Sequence, residues 1–374
     1  MEEEKLNDLE NARKEINEID AQTARLFERR MKAVKAIAEH KARHGLPVFD
    51  PAREAEVIEK NAALVGDDEI RSYYVGFLKS VIGLSKQYQH RLLEGTRVAY
   101  SGVEGAFAHI AASKIFPDGT HVPHTSFSEA YDAVVSGSCD TAVLPIENSY
   151  AGEVGQVMDL MFSGSLYVSG VYDLKITQNL LGIPGTKISD VRTVISHPQA
   201  LGQCAKYIKE HGFITKDASN TARAAQSVAE AKDKSVAAIA SVETADIYGL
   251  AVIDHDINAS DVNTTRFAVF SRAENTDARR AGNTFMLLFT VKNESGALAE
   301  AINVIGKYGF NMKVLRSRPM KKLAWQYYFY AEAEGDSSSE TGQKMLAELS
   351  GHCETLKVVG HYSSGIELKK ESSL

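Results

Sequence analysis

The sequence predicts a multidomain protein: an all-α N-terminal domain of three helices, a central α/β domain, and a C-terminal α+β unit in the order βαββαβ. Three observations carry that expectation. Residues 5–44 hold neither proline nor glycine and place apolar side chains at Leu6, Leu9, Ile16, Ile19, Leu26, Val34 and Ile37, which is the spacing of a long amphipathic helix. From Arg97 to Ser271 short apolar runs alternate with helical stretches, the pattern of an α/β domain. After a polar linker at 273–283, strand and helix signals resume in a third unit. The expected domain bounds are 1–94, 95–272 and 284–365.

Each element has a local reason. The first helix is stopped by Gly45 and Pro47. The second opens at Asp50-Pro51, with aspartate as N-cap and proline at the first helical position, and fades across Val65-Gly66-Asp67-Asp68. The third runs to Leu93, with Tyr74, Phe77, Leu78, Val81, Ile82 and Leu84 on its apolar side. Three helices with one very long arm close poorly on themselves, so dimerisation is expected to bury the long helix.

In the central unit Val98-Ala99-Tyr100 reads as a strand, Gly102-Val103-Glu104-Gly105 as a tight turn and Ala106–Phe116 as a helix. In the third unit, strands are expected at Thr284–Lys292, at Asn311–Arg316 and Ala324–Ala333 around Lys321-Lys322, and at Leu356–His361. Helices are expected at Ala297–Tyr308, closed by Gly309, and at Glu340–Leu349. The tail after Ile366 is expected to fray.

Bulk properties narrow the function. The net charge of −7 argues against a non-specific nucleic-acid binder. Cys139, Cys204 and Cys353 are scattered and form no metal-binding cluster, so they read as buried thiols in a reducing compartment. The opening Met1-Glu2-Glu3-Glu4-Lys5 has no basic and apolar signal character, and no run is long and apolar enough to span a bilayer. The expectation is a cytoplasmic protein.

The chemistry is concentrated in polar turns beside strands. Pro145-Ile146-Glu147-Asn148-Ser149, Ser196-His197-Pro198-Gln199 and Asp261-Val262-Asn263-Thr264-Thr265-Arg266-Phe267 adjoin the apolar runs Thr141–Leu144, Thr193–Ile195 and Phe267–Phe270. Strand ends of this kind are where α/β proteins build ligand sites. A Thr-Arg pair there offers a proton donor beside a fixed cation, which suits elimination from an anion. The competing readings are structural: Ser196 and Thr221 as helix N-caps, His197 as a satisfied polar residue, Glu147-Asn148 as a turn cap.

On the first helix Arg30 and Lys41 are about three turns apart and share a face. Arg13 lies about 25 Å from Arg30 along the helix and roughly 260° around it, so the two reach one small ligand only if Arg13 comes from a partner chain. Ser85 and Gln89 form an i,i+4 pair. From spacing alone these residues read first as a solvated charged face with helix-spaced ion pairs.

Residues 5–93 resemble the all-helical (AroQ-type) chorismate mutase domain, through Arg13 to Asp20, Glu28-Arg29-Arg30 with Lys41, Asp50-Pro51-Ala52-Arg53-Glu54, and Ser85 to Gln89. The resemblance implies that Arg13, Arg30, Lys41, Arg53, Ser85 and Gln89 bind a dicarboxylate, with Asp50 and Glu54 near its ring hydroxyl. Arg30, Lys41 and Gln89 would be the catalytic side chains.

Residues 97–271 resemble prephenate dehydratase. The match rests on Gly102 to His109, Pro145 to Ser149 with Gly152-Glu153-Val154, Ser196 to Ala200 with Gln203-Cys204, Asn220-Thr221-Ala222, and Thr264-Thr265-Arg266-Phe267. It implies two α/β lobes with the substrate between them and Thr265 as the catalytic hydroxyl. Glu147, Asn148, Ser149, Ser196, His197, Gln199, Thr221, Arg266 and Phe267 are the expected substrate-binding set, with Arg266 open to an internal pairing role. The first turn departs from the family's usual Gly-Pro-x-Gly.

The C-terminal order resembles an ACT regulatory domain, whose relatives bind phenylalanine near Gly296-Ala297-Leu298 and near a Glu-Ser-Arg-Pro motif. Here that motif is Arg316-Ser317-Arg318-Pro319, a charge reversal at its first position. A purely structural dimerisation module is the alternative.

The resemblances imply an enzyme acting on chorismate and prephenate, with L-phenylalanine as effector and no metal or organic cofactor, since neither step is redox; the long helix adds the expectation of a homodimer or higher homo-oligomer. An arogenate-preferring dehydratase and a silent amino-acid sensor are the competing functions.

Overall fold

The computed structural model describes residues 2–48, 50–259, 262–275, 283–320 and 325–369. Asp261, most of the expected linker (276–282), Lys321-Lys322 with Ala324, and the tail beyond 369 lie outside the described residues. The chain divides into two compact units, 1–95 and 96–374.

The first unit is three helices: α1 Glu2–His44, α2 Pro51–Ala62 and α3 Asp68–Glu94. Asp50 caps α2 by accepting from the Arg53 amide at 3.0 Å, and Asp67 caps α3 through the Glu69 amide at 2.8 Å. These aspartates satisfy amides that have no partner inside the helix. The apolar seam is short. Val34 and Ala38 of α1 bury against Leu78, Val81 and Ile82 of α3, whereas Leu9, Ile16, Ile19 and Leu26 remain 51–59% exposed.

The second unit begins with β1 Arg97–Ser101, α4 Phe107–Ile115, β2 Thr120–His124, α5 Phe127–Val135, β3 Thr141–Asn148, β4 Gly152–Glu153, α6 Gly155–Ser163 and β5 Tyr167–Lys175. There follow β6 Asn179–Gly182, β7 Thr193–Ser196, α7 Pro198–Gln203, α8 Ala205–His211, β8 Ile214–Asp217, α9 Thr221–Ala231, β9 Val236–Ala240, α10 Val242–Tyr248, β10 Ala251–Asp254 and β11 Thr264–Ser271. The C-terminal stretch adds β12 Thr284–Thr290, α11 Ala297–Lys307, β13 Asn311–Pro319, β14 Tyr327–Glu334, α12 Glu340–His352, β15 Thr355–Tyr362 and β16 Ile366–Glu367.

Three sheets result. A mixed sheet in the order β16-β5-β11-β3-β1-β2, with β4 on β3, forms the first lobe, and β10-β6-β9-β7-β8 forms the second. The chain crosses between the lobes after β5 and returns into β11. The third sheet, β13-β14-β12-β15, is antiparallel.

The sequence placed turns where two strands in fact continue. Glu147 and Asn148 end β3, and Thr264-Thr265-Arg266 begin β11, paired as Thr265 with Asn148 and Arg266 with Glu147. The register then slips so that Phe267 faces Pro145. Proline has no N–H for the ladder, and a bulge is where a strand tolerates it. The expected frayed tail is also corrected: Ile366-Glu367 adds to the edge of β5, and the Leu368 amide donates to Asp173 O at 2.8 Å.

The turn after β1 joins the lobes. Gly102 and Gly105 take φ of +111° and +82°, a region other residues enter only at a cost. Thr244 of α10 donates to Gly105 O at 2.9 Å, and Tyr248 to Glu104 O at 2.8 Å.

The third sheet shares a core with the first lobe: Met286, Leu288, Tyr328, Tyr330, Val359 and Tyr362 pack with Met158, Met161, Val168 and Val171. One buried ion pair runs through this junction. Arg266 of β11 forks onto Glu332 of β14 at 2.8 and 2.9 Å. Tyr362 donates to the same carboxylate at 2.7 Å, and Tyr330 donates as well. Glu332 is only 3% exposed. Burial alone would raise its pKa, but the Arg266 fork, its charge and the two phenols together hold it below the ordinary value.

Two consequences can be measured. A Cβ on Gly360 would sit 1.9 Å from Val168 O, a backbone atom, so Gly360→Ala should lower the melting temperature of the second unit by an overpacking cost of about 1–3 kcal/mol or more. Arg266→Met should cost about 3–5 kcal/mol by leaving Glu332 buried and uncompensated. The sign of the pH dependence separates the two. Glu332 is depressed below 4.5 in the fold, so its contribution is complete above pH 4.5 and is lost as pH falls through the lower folded value. In Arg266→Met burial raises the carboxylate instead, so that variant should gain stability as pH falls, read from thermal melts stepped from neutral to acid.

Candidate active sites

In the helical unit Arg30, Ser85 and Gln89 come together. Arg30 Nη1 donates to Ser85 Oγ and to Val81 O at 3.4 Å, and burial lowers its pKa from the ordinary value. Ser85 and Gln89 are buried on α3. The Gln89 amide nitrogen donates to Ser85 O at 3.4 Å, while its oxygen is buried without a partner. An Arg fork beside a buried amide suits a carboxylate next to a second polar atom.

The remaining helical candidates have other occupations within one chain. Lys41 Nζ donates to Val48 O at 2.7 Å, and the Arg53 guanidinium holds Glu56 at 2.6 Å. Asp50 caps α2, and Glu54 receives Lys86 at 2.9 Å. Arg13 is exposed on α1.

In the second unit a cleft of about 990 Å³ opens between the lobes. Thr265, Asn148, His197, Gln199, Thr221 and Phe267 all line it. Asn148 Nδ2 donates to Thr265 Oγ1 and to Asn263 Oδ1, each at 2.9 Å. The Asn148 oxygen in turn accepts from the Tyr150 and Ala151 amides at 3.0 and 2.9 Å. A hydroxyl has one proton and two lone pairs. Because Thr265 accepts from Asn148, its own proton is directed elsewhere.

The cleft is built for negative charge. Five helices start on it: α4 at Ala106-Phe107, α5 at Ser126-Phe127, α6 at Val154, α7 at His197 and α9 at Asn220-Thr221. Each start directs partial positive charge at the cleft, although Ser126, His197 and Asn220 each cap one first-turn amide of α5, α7 and α9. No Asp or Glu is among the described residues lining it, and Arg223 brings a guanidinium.

Four expected cleft residues do other work. Ser196 is fully buried, and its hydroxyl donates to Ile239 O at 2.6 Å. Ser149 Oγ donates to Val262 O at 2.8 Å and accepts from the Thr264 amide at 3.0 Å. Glu147 receives Arg266 at 3.2 Å and also pairs with Arg316. Arg266 itself is spent on Glu332. The capping roles shift by one residue from the alternative reading: His197 caps α7, accepting from the Gln199 amide at 3.2 Å through Nδ1, and Asn220 caps α9, with Thr221 its first residue. That bond leaves the proton of a neutral His197 on Nε2.

Gln178 and Arg223 escaped the sequence reading, and Asn263 and Gln203 stood inside its motifs without being assigned to the site. Arg223 had a signal, being three residues after an asparagine N-cap and so in the first turn of a site helix. Burial, which distinguishes the other three, leaves no local trace.

In the C-terminal sheet Gly296, at φ +88°, precedes α11, whose first residues are Ala297 and Leu298. Arg316, Ser317, Arg318 and Pro319 lie on β13. Arg316 pairs with Glu147, while Arg318 pairs with Glu153 and with Asp159 at 3.4 Å. The charge reversal at position 316 is therefore matched by an acidic partner on the first lobe.

Comparison with known proteins agrees with this division. A family profile described as prephenate dehydratase matches residues 98–275, and one described as chorismate mutase type II matches 12–90. A bifunctional chorismate mutase/prephenate dehydratase from Aquifex aeolicus is 31% identical over 369 residues, covering 96% of this chain and 99% of that protein. Among solved structures, a protein described as a novel type of quorum quenching acylase is 31% identical with a TM-score of 0.67, covering 72% of this chain and 98% of the other. A prephenate dehydratase from Arthrobacter aurescens in complex with L-Phe is 27% identical with a TM-score of 0.66, covering 72% and 90%. With near-complete coverage in both directions, the chain belongs to the bifunctional chorismate mutase/prephenate dehydratase family.

Proposed function

We infer that the chain carries both reactions of its family, rearranging chorismate to prephenate in residues 1–94 and converting prephenate to phenylpyruvate in residues 95–272, for phenylalanine biosynthesis. The observation that carries the second assignment is Thr265, held by Asn148 in a cleft on which five helices start and whose described lining residues include no Asp or Glu.

The first reaction is unimolecular. One C–O bond breaks as one C–C bond forms and no proton moves, so catalysis consists of holding the folded conformer and meeting charge on the ether oxygen. Arg30 with Ser85 would grip a carboxylate, and Gln89 with Lys41 would address the ether oxygen. Arg13, Asp50, Arg53 and Glu54 would complete the site. Arg13 is assigned to a partner chain, and the exposed apolar side chains on its half of α1 support a homodimer.

In the second reaction the ring carboxylate leaves as CO₂, its bonding pair enters the ring, and the C4–O bond breaks with its pair on oxygen. The dianion becomes phenylpyruvate, CO₂ and hydroxide, which solvent protonates. Thr265 is the hydrogen-bond donor to the departing oxygen. The helix starts, His197 and Arg223 hold the carboxylates.

Residues 284–365 are proposed as an ACT domain with L-phenylalanine as effector, near Gly296-Ala297-Leu298 and Arg316 to Pro319. The strand-helix order and the L-Phe complex of the Arthrobacter aurescens relative support this reading. The proposed location is the cytoplasm, supported by three unpaired thiols. No helix of the described residues is long and apolar enough to cross a membrane.

Purified protein given chorismate alone should form phenylpyruvate, and less of it when phenylalanine is added. Thr265→Ala should cut phenylpyruvate formation by at least about 100-fold while chorismate is still consumed and prephenate accumulates. Gln89→Ala should do the reverse, losing chorismate turnover while added prephenate is still dehydrated. Parallel loss of both reactions in either variant would mean the sites are not separate.

A further inference from the structure

Among the described residues two cleft side chains, His124 and Gln178, have a buried polar atom without a hydrogen-bond partner, and of these Gln178 sits at the crossing between the lobes. Gln178 lies where the chain passes from β5 into β6, between the two lobes. Its backbone is pinned on both sides: its amide donates to Asn258 Oδ1 at 3.0 Å, and its carbonyl accepts from the Ile257 amide at 2.8 Å. Gln178 and Gln203 are both among the residues that line the cleft. Gln178 is 2% exposed and Gln203 8%. The Gln178 nitrogen donates to Gln203 Oε1 at 3.5 Å, which is long and weak. Its oxygen is buried with no partner among the described residues.

A buried amide oxygen without a donor destabilises the fold. An apolar side chain of the same volume would remove that cost, and a donor on a ligand in the cleft would offset it. The substrate assigned to the cleft is a dianion with two carboxylates and a ketone, all of them acceptors. Its one donor is the hydroxyl on the ring, and that hydroxyl is the group that leaves.

We propose that Gln178 Oε1 accepts a hydrogen bond from the ring hydroxyl of prephenate, holding the leaving oxygen so that its lone pair faces the Thr265 proton. The inference rests on the assignment of prephenate to this cleft. Gln178 and Thr265 then have complementary roles. The amide fixes the orientation of the O–H bond in the bound substrate, and Thr265 donates to the oxygen as the C4–O bond breaks. Gln203 is a positioning residue, since it acts by fixing the amide plane of Gln178. Discrimination against a ring without the hydroxyl follows, because binding such a ring would leave the buried oxygen unpaired.

The product provides the test, because phenylpyruvate has lost the hydroxyl but keeps the pyruvyl carboxylate. In the full-length chain, Gln178→Met should lower kcat/KM for prephenate by about 10- to 100-fold, with the inhibition constant of phenylpyruvate within about twofold of wild type. Chorismate turnover should be unchanged, and the melting temperature should be unchanged or higher because an unpaired buried oxygen has been removed. Three results would overturn the proposal: prephenate turnover like that of wild type, phenylpyruvate inhibition weakening in step with turnover, or a fall in melting temperature that accounts for the loss. The second would show the amide serving a carboxylate, and the third a structural role. Failure of the wild-type chain to dehydrate prephenate at all would remove the parent assignment, and this inference with it.

Discussion

The ion pair between Arg266 and Glu332 is the constraint on which the second unit is arranged. Successive side chains of a strand point to opposite faces. On β11, Thr265 and Phe267 therefore turn to the cleft while Arg266 turns to the third sheet. On β3 the same alternation sends Asn148 to the cleft and Glu147 toward Arg266 and Arg316. The two strands are paired at these residues, so the hydroxyl and its amide partner sit one residue from the charges that fasten the sheets. A buried pair of this kind is poor evidence for added stability, since its desolvation roughly offsets its attraction. Its value here is geometric. Any shift of β14 against β11 would separate a fork from a carboxylate that has no water to turn to, so the position of Thr265 is tied to the seating of the third sheet.

That arrangement also explains the charge of position 316. An acidic residue there would face Glu147 across the junction, like charge against like. Arg316 instead gives Glu147 a second cation, and Arg318 does the same for Glu153 and Asp159. The first lobe thus presents carboxylates to the third sheet and, among the described residues, none to its cleft. Acidic groups are segregated by strand alternation and helix direction, which is what allows a cleft next to them to accept a dianion.

Much of this was legible in the sequence because it is written in local signals. Proline and glycine mark the helix ends at Gly45, Pro51 and Gly309, and the strand-helix alternation is periodic. The motif around Thr265 identified the right strand, and Asn148, His197, Gln199, Thr221 and Phe267 do reach the cleft. What failed shares one cause. Ser196, Ser149 and Glu147 carry the right functional groups, but which way a side chain faces depends on strand register. A one-residue difference in where a strand ends decides it. The polar stretches around Glu147 and Thr265 looked like turns because their burial comes from a partner strand more than a hundred residues away. The burial of Asn263 and Gln178 was invisible for a related reason: an unpaired buried atom is a property of the packed fold, and an asparagine or glutamine in a loop ordinarily means nothing.

In the helical unit the same physics leaves a deficit rather than a surplus. The first helix has 43 residues, against 12 and 27 in the other two, so α1 spans about 65 Å. A shorter pair folded beside it can cover only part of that length. The covered part holds Val34, Ala38 and Arg30; the uncovered part holds Leu9, Ile16, Ile19 and Leu26 with Arg13 among them. Isolated helices gain most of their stability from packing an apolar stripe, and in the described residues this stripe is exposed at Leu9, Ile16, Ile19 and Leu26. A second copy of the same surface is self-complementary by symmetry. In that arrangement, the segment that needs cover and the arginine that needs a site are supplied by one contact, which is why the proposed dimer and the proposed mutase site stand or fall together.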